Sequence, residues 1–213
     1  MKIIKIPALL TVTGLLSLVL LRAAPAAEIG FKYGIIGKKS MSDRNLFIVE
    51  DGGVMHASEM IRINYSLEKP GYFYLIWRSP NGDFTLLTVY EKSDELPGDI
   101  QKTDWYELDR ECGKEVLYLI GSPERLLKLE SLFNDLMTSD GMSQSDIYRK
   151  IALELTVYQN SSGDKDSRLA TRKEKPLDGG IVFRSAGINE NSLQNELTGS
   201  GVQVKIIKID HQK

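Results

Sequence analysis

The acidic stretch over residues 91–115 is the first place where residue types in this chain could do chemistry. Asp94, Glu95, Asp99 and Asp104 offer carboxylate oxygens, the ligands that calcium prefers. Their spacing does not follow the EF-hand loop, and acidic side chains in a loop are commonly just solvated. Calcium binding therefore stays an open alternative, and we assign no metal site.

The same stretch permits an enzymatic interpretation. A glycoside hydrolase needs two carboxylates facing each other across a cleft, and Asp104, Glu107 and Asp109 are the nearest candidates. The sequence does not show how far apart these side chains lie in space. A periplasmic or secreted hydrolase or carbohydrate-active enzyme that uses these loop carboxylates is therefore the alternative function, and no catalytic residue is assigned.

The other reactive residue types form no catalytic or metal-binding pattern. Cys112 is the single cysteine, so it has no internal disulfide partner, and it lies in a predicted turn. His56 and His211 are far apart, whereas zinc takes several ligands that are often closely spaced. Ser162 and Lys165 have S-x-x-K spacing but stand in a polar stretch rather than in a helix. We therefore predict no cofactor and favour a non-enzymatic function.

Aromatic side chains near the middle of the chain suggest binding instead, because exposed rings on a sheet can stack on sugars or peptides. Tyr72 and Tyr74 alternate onto one face of a predicted strand, while Trp77 lies on its other face and Trp105 on a later strand. One of the two faces must belong to the core. We predict Tyr72, Tyr74, Trp77 and Trp105 as candidate binding residues.

The elements that position these rings centre on the apolar run at residues 72–77. A run that is apolar on both sides of the pleat should lie inside a sheet with both faces covered. The turn at residues 79–82, Ser-Pro-Asn-Gly, joins it to residues 84–90 in a β-hairpin. Residues 60–67 alternate apolar and polar, as a half-buried strand does, and residues 115–120 should lie in the same layer as 72–77.

The hydrophobic period then becomes helical. Ser122 and Pro123 are typical of a helix start, Ser143 with Asp146 resembles a capping box, and leucines recur at helical spacing between them. Two short helices within residues 123–157 should therefore cover one face or end of the sheet. A flexible linker follows at residues 160–177, and residues 180–185 and 202–209 are predicted as a C-terminal strand pair.

These elements predict a mainly β fold, an antiparallel β-sandwich of the Ig-like kind, over residues 27–213. Residues 1–26 have the charged start, apolar core and small-residue end of a secretory signal peptide, so we expect cleavage after Ala26. The mature chain should be periplasmic or secreted, with no stable membrane span. Cleavage makes its charge more negative than −2, which argues against nucleic acid as a partner.

An ordered set of motifs carries a family resemblance over about residues 46–125. The set is an alternating strand at residues 61–65, Gly71-Tyr72-Phe73-Tyr74-Leu75, Asn81-Gly82, Leu86-Leu87, Trp105 and Gly113-Lys114-Glu115. It resembles the bacterial domain-of-unknown-function family 4384, although the family's proline–asparagine is replaced by Thr88-Val89-Tyr90. The resemblance implies an exported or envelope-associated, non-catalytic β domain, and it implies no set of catalytic residues.

The sequence thus predicts an exported, non-catalytic binding or interaction module of the bacterial cell envelope. Its expected partner is another envelope or secreted protein. A rigid sheet edge or loop would be presented to that partner, and strand addition is the mechanism that we favour. The strand at residues 202–209 is the expected pairing segment.

Overall fold

The computed structural model describes residues 27–93, 99–108, 111–139, 141–162, 188 and 190–213. The predicted signal peptide, the predicted strand at residues 180–185 and nearly all of the predicted linker lie outside these residues. The described elements are, in chain order, β1 (Glu28–Lys38), β2 (Phe47–Ile48), β3 (Gly53–His56), β4 (Met60–Leu67), β5 (Gly71–Arg78), β6 (Phe84–Lys92), β7 (Gln101–Lys102), β8 (Tyr106–Glu107), β9 (Gly113–Ser122), α1 (Leu127–Thr138), α2 (Gly141–Ser161), β10 (Asn195–Ser200) and β11 (Gln203–Gln212).

The strands form two sheets. The first sheet has the order β10-β1-β4-β7, with β2 also paired to β1 and β8 to β4, and the second has the order β3-β11-β9-β5-β6. Neighbouring strands are antiparallel except for β3 and β11, which are parallel. The predicted mainly β, sandwich-like fold is therefore confirmed. Its C-terminal strand pair is β10 and β11, which enter different sheets.

The first core lies between the two sheets. Strand β1 alternates with period two and places Ile29, Phe31, Tyr33 and Ile35 into it. Phe73 of β5 reaches the same core from the second sheet and stacks on Tyr65 with 4.1 Å between the ring centroids. These contacts fix one sheet upon the other, and the odd-numbered residues of β1 and β4 face inwards.

The second core lies between the second sheet and the two helices. Its fully buried side chains from the sheet include Tyr74 and Ile76, and the helices contribute Leu129, Phe133 and Ile151. Strand β5 therefore has neighbours on both edges and apolar cover on both faces, as the apolar run at residues 72–77 predicts. The prediction that the helices cover one face of a sheet is also confirmed.

The hairpin of β5 and β6 is the most locally determined element. Gly82 has a φ of +94° at the end of the turn, and its N–H donates to the Ser79 carbonyl at 3.0 Å. A bulge between Leu75 and Ile76 shifts the register of the pair. The turn residues thus form the hairpin connection that they favour, while the bulge lies further along the two strands.

The beginning of helix α1 differs from the prediction. Ser122 closes β9, and its Oγ accepts the Glu124 N–H at 3.3 Å within a turn, so it does not cap the helix. The helix begins at Leu127, and the N–H of Leu126 is bound by the Tyr74 hydroxyl of the sheet at 2.8 Å. The predicted local cap by Ser122 is therefore replaced by a tertiary hydrogen bond from Leu126 to Tyr74.

Candidate functional site: the Trp105 pocket and the open edge of β11

The four predicted aromatic residues lie in three different environments. Tyr74 is fully buried beneath the helices, and Tyr72 is half-buried beside it. Trp77 packs against the core between the sheets, whereas Trp105 lies on the outer side of the first sheet next to Lys38. The structure therefore does not bring the four rings to one surface, and their role in binding stays a prediction.

Tyr74 connects the sheet to helix α1. Its hydroxyl donates to Glu130 Oε1 at 2.9 Å and accepts the Leu126 N–H. Burial raises the pKa of Tyr74, and the carboxylate of Glu130 adds to the shift. The pKa of Glu130 is lowered, mainly by its hydrogen bond from Arg125 and further by the Tyr74 hydroxyl. This geometry fits a contact that docks the helix rather than a ligand site.

Trp105 lines a pocket with a volume of about 490 Å³. This Trp105 pocket is lined by Lys38, Met41, Asp43, Arg44, Leu46, Trp105 and Glu190, together with Ser42. Two cations stand over the indole ring: Lys38 Nζ is 4.3 Å and Arg62 Cζ is 4.4 Å from its centroid. Both distances are within the range of a cation–π contact.

Strands β1 and β4 position the two cations that stand over the Trp105 ring. Lys38 is the last residue of β1, and Arg62 lies on the outer face of β4 because its neighbours Ile61 and Ile63 face the core. Thr103 fixes the segment before Trp105, since its N–H donates to the Ile63 carbonyl at 3.0 Å and its Oγ1 accepts the Ile63 N–H at 3.1 Å.

Glu190 is held at the pocket by the first sheet. The Asn64 amide donates to the Glu190 carbonyl at 3.0 Å, and the Glu190 carboxylate lies 3.4 Å from Arg62 Nη1. Sequence reasoning found Trp105 by residue type but missed Lys38, Arg62 and Glu190. The alternation of β4 places Arg62 on the outer face, yet no local signal indicates which residues it meets there.

A second polar cluster lies at one end of the core between the sheets. Trp77 Nε1 donates to Glu115 Oε2 at 2.5 Å, and His211 Nδ1 is 3.3 Å from Glu115 Oε1. Glu115 and His211 are both buried. Trp77, Glu107 and Glu115 line a neighbouring cleft of about 240 Å³. Both carboxylate oxygens of Glu115 thus accept hydrogen bonds or lie within their range.

Among the described acids that the sequence analysis names, Glu107 lines the cleft beside Glu115, whereas Asp99 and Asp104 line neither pocket. Asp99, Asp104 and Glu107 are exposed, and Asp94, Glu95 and Asp109 lie outside the described residues. In the part of the chain that the structure describes, no three His, Cys, Asp or Glu side chains converge as a metal site. Cys112 is half-buried, and His56 and His211 belong to separate environments.

Among the described residues, the first half of β11 has a strand partner on only one of its two sides, and we call the other side the open edge. Strand β9 pairs with residues 203–211 on one side, whereas β3 pairs only with residues 209–212 on the other. The Lys208 N–H and carbonyl point to the β3 side, because they bind Asp51 Oδ1 at 2.8 Å and the Gly52 N–H at 2.7 Å. By alternation, the backbone groups of Val204 and Ile206 point to the same side. Among the described residues, no strand pairs with them there.

Comparisons with known proteins add no relative, since no family model, curated protein or solved structure matches this chain. The resemblance stated from the ordered motifs stays a prediction. Neither helix in the described ranges is long and apolar enough to cross a membrane.

Proposed function

We propose that this chain is an exported, non-catalytic interaction module of the bacterial cell envelope, and that it binds another envelope or secreted protein by strand addition at β11. The observation that carries the proposal is the open edge at residues 203–207. Unpaired main-chain groups at a sheet edge are a template for a further strand, and peptide-binding domains use such edges for recognition.

The edge is short and has defined ends. At one end of the edge, the Asp51–Gly52 turn binds the main chain of Lys208. At the other end, the Gly201 N–H donates to the Ala27 carbonyl at 2.9 Å. Within these limits Val204 and Ile206 provide the main-chain donors and acceptors. The outer edge of β6 is longer, but the bulge beside Ile76 distorts the hairpin there, and bulges disfavour edge pairing.

The hydrolase alternative has less support. Asp104 and Glu107 are exposed, so neither lies in the dry, confined environment that prepares a catalytic acid. Glu107 does share a cleft with Glu115, yet Glu115 is already bound to Trp77 and adjacent to His211. This arrangement fits a structural polar network better than a pair of catalytic carboxylates.

The proposal is tested by Ile206→Pro, with Ile206→Ala as the matched control. Proline removes the N–H that points to the open edge but no bond to β9, and edge strands tolerate proline at such positions. Alanine removes similar side-chain packing and keeps the N–H. Tagged protein would be crosslinked in cells and recovered from envelope extract, and both variants would be checked for cooperative unfolding.

We expect one stoichiometric protein partner with the native chain and with Ile206→Ala, and its loss with folded Ile206→Pro. Equal recovery of the partner with both variants would exclude strand addition at this edge. Recovery of no partner, in an extract from which a known complex is captured, would contradict the interaction module itself.

A further inference from the structure

Lys38 is a buried cation whose charge is incompletely matched. The residue is 6% exposed, and its ammonium donates to the Met41 carbonyl at 3.1 Å and to the Met41 sulfur at 3.4 Å. An ammonium has three donors, and a thioether sulfur is a weak acceptor. No carboxylate of the described residues lies within 4.0 Å of Lys38 Nζ. Burying a charge without a counter-charge is costly, and the contact with Trp105 offsets only part of that cost.

Lys92 provides an internal comparison. It is also buried, at 8% exposed, but its ammonium donates to two carbonyl oxygens, those of Leu67 at 2.8 Å and Glu68 at 3.1 Å. Lys92 does not line the Trp105 pocket, whereas Lys38 does. Lys92 is therefore a structural cation, whereas Lys38 is a buried cation that borders a pocket.

The acids that line the pocket are engaged elsewhere. Asp43 Oδ1 accepts the Asn45 N–H at 2.9 Å and its side-chain amide at 3.1 Å. Glu190 lies against Arg62. Arg44, which is exposed, has no ion-pair partner in the described part of the chain. Lys38 and Arg44 are therefore the lining cations without an ion-pair partner among the described residues, whereas Asp43 keeps its negative charge beside them.

The remaining lining residues are Ser42 and three residues with apolar or aromatic side chains. Met41 is 67% exposed although it is a large hydrophobic residue, and Leu46 and Trp105 line the same space. Methionine adapts its shape to irregular apolar surfaces. A volume of about 490 Å³ exceeds what a simple inorganic anion needs and lies within the usual range of small-molecule sites.

We propose that the Trp105 pocket binds a small organic carboxylate. The acid group pairs with the Lys38 ammonium and the exposed Arg44 guanidinium, and the apolar body of the ligand packs against Met41, Leu46 and the Trp105 ring. This site is on the outer face of the first sheet, so it does not depend on strand addition at β11 in the second sheet. It would give the module a small-molecule ligand in addition to a protein partner.

Calorimetric titration of the full purified chain with 4-phenylbutyrate and with its neutral analogue 4-phenylbutanol tests the proposal. Low ionic strength limits screening. The variants are Lys38→Met, which keeps the apolar stem, and Arg44→Gln, which changes an exposed side chain and should leave the fold intact. Lys92→Met is the matched control, because it removes a buried ammonium away from the pocket.

We expect the carboxylate to bind at least about tenfold more tightly than the alcohol, the scale of one hydrogen bond to a charged group. Lys38→Met should remove that preference, Arg44→Gln should reduce it, and Lys92→Met should retain it. The proposal is overturned if the wild type binds neither compound, if acid and alcohol bind equally, or if Lys38→Met and Arg44→Gln both keep the preference. Displacement by inorganic phosphate at equal affinity would also overturn it, since the apolar body would then contribute nothing.

Discussion

At the residue scale, a single hydroxyl group joins the second sheet to the helical layer. Helix α1 has no side-chain hydrogen bond at its N-cap residue Leu126, and the Tyr74 hydroxyl binds the N–H of that residue instead. The same hydroxyl donates to Glu130 in the first turn of the helix, where a carboxylate is also favoured by the helix dipole. The sheet thus supplies the cap that the helix sequence lacks.

Glu130 makes this contact dependent on pH. Arg125 and Tyr74 hold the pKa of Glu130 below its ordinary value in the folded state. Because the folded pKa is depressed, the stabilisation is fully present above the unfolded-state pKa and is lost as the pH falls through the folded pKa. We expect the difference in unfolding free energy between the native chain and Glu130→Gln to be largest near neutral pH and to shrink in acid. Urea unfolding over a pH series measures it, and a difference that does not vary with pH would refute the assignment.

Predictability at this scale follows from how far apart the contacting residues lie in the chain. Trp105 could be singled out by its residue type alone, although it lies just before β8 and not on a strand as predicted. Its cations could not, since Lys38 ends β1 and Arg62 lies on β4. Only the register of β1 against β4 brings these side chains to one ring.

At the element scale, helix α2 is held by one apolar stripe. Ile147, Ile151 and Leu155 recur every four residues, and all three are buried in the second core. Ile151 is fully buried, whereas Leu153 on the same helix is 62% exposed. The helix therefore has one face for packing and another for solvent.

Ile151→Ala should lower the unfolding free energy by about 2–5 kcal/mol, because it removes buried methyl groups and leaves a cavity. Leu153→Ala on the same helix should have little effect, since its side chain is already largely in water. Chemical denaturation of both variants measures the two changes. Equal losses for the two substitutions would mean that the helix does not pack on the sheet through this face.

The elements that sequence reasoning placed well are those with local signals. The turn residues predict the β5–β6 hairpin. The apolar run of β5 predicts a strand whose two faces are both buried. Strand β1, Glu28–Lys38, is harder to predict, because glycines interrupt it at residues 30, 34 and 37. The alternation of Ile29, Phe31, Tyr33 and Ile35 was the signal that could have revealed it.

At the scale of the whole molecule, the last strand is also an internal one. Strand β11 lies between β9 and β3 and contributes the fully buried Ile209 and the buried Ile207 to the core between the sheets. Removing residues 203–213 should therefore abolish the cooperative fold rather than trim an edge. Far-ultraviolet circular dichroism during heating tests this, with removal of Lys213 alone as the control. A truncated chain that still melts in one sharp transition would show that β11 is dispensable.

The positions of the first and last described strands have a consequence for when the protein can fold. Strand β1 lies between β10 and β4, so the first sheet needs residues from both ends of the described chain. Pairings between such distant segments form slowly, because the long intervening loop must be closed first. A ribosome-bound chain keeps both sheets incomplete until its C-terminal strands have emerged. The nascent polypeptide therefore cannot complete either of its native sheets before its C-terminal strands have been synthesised.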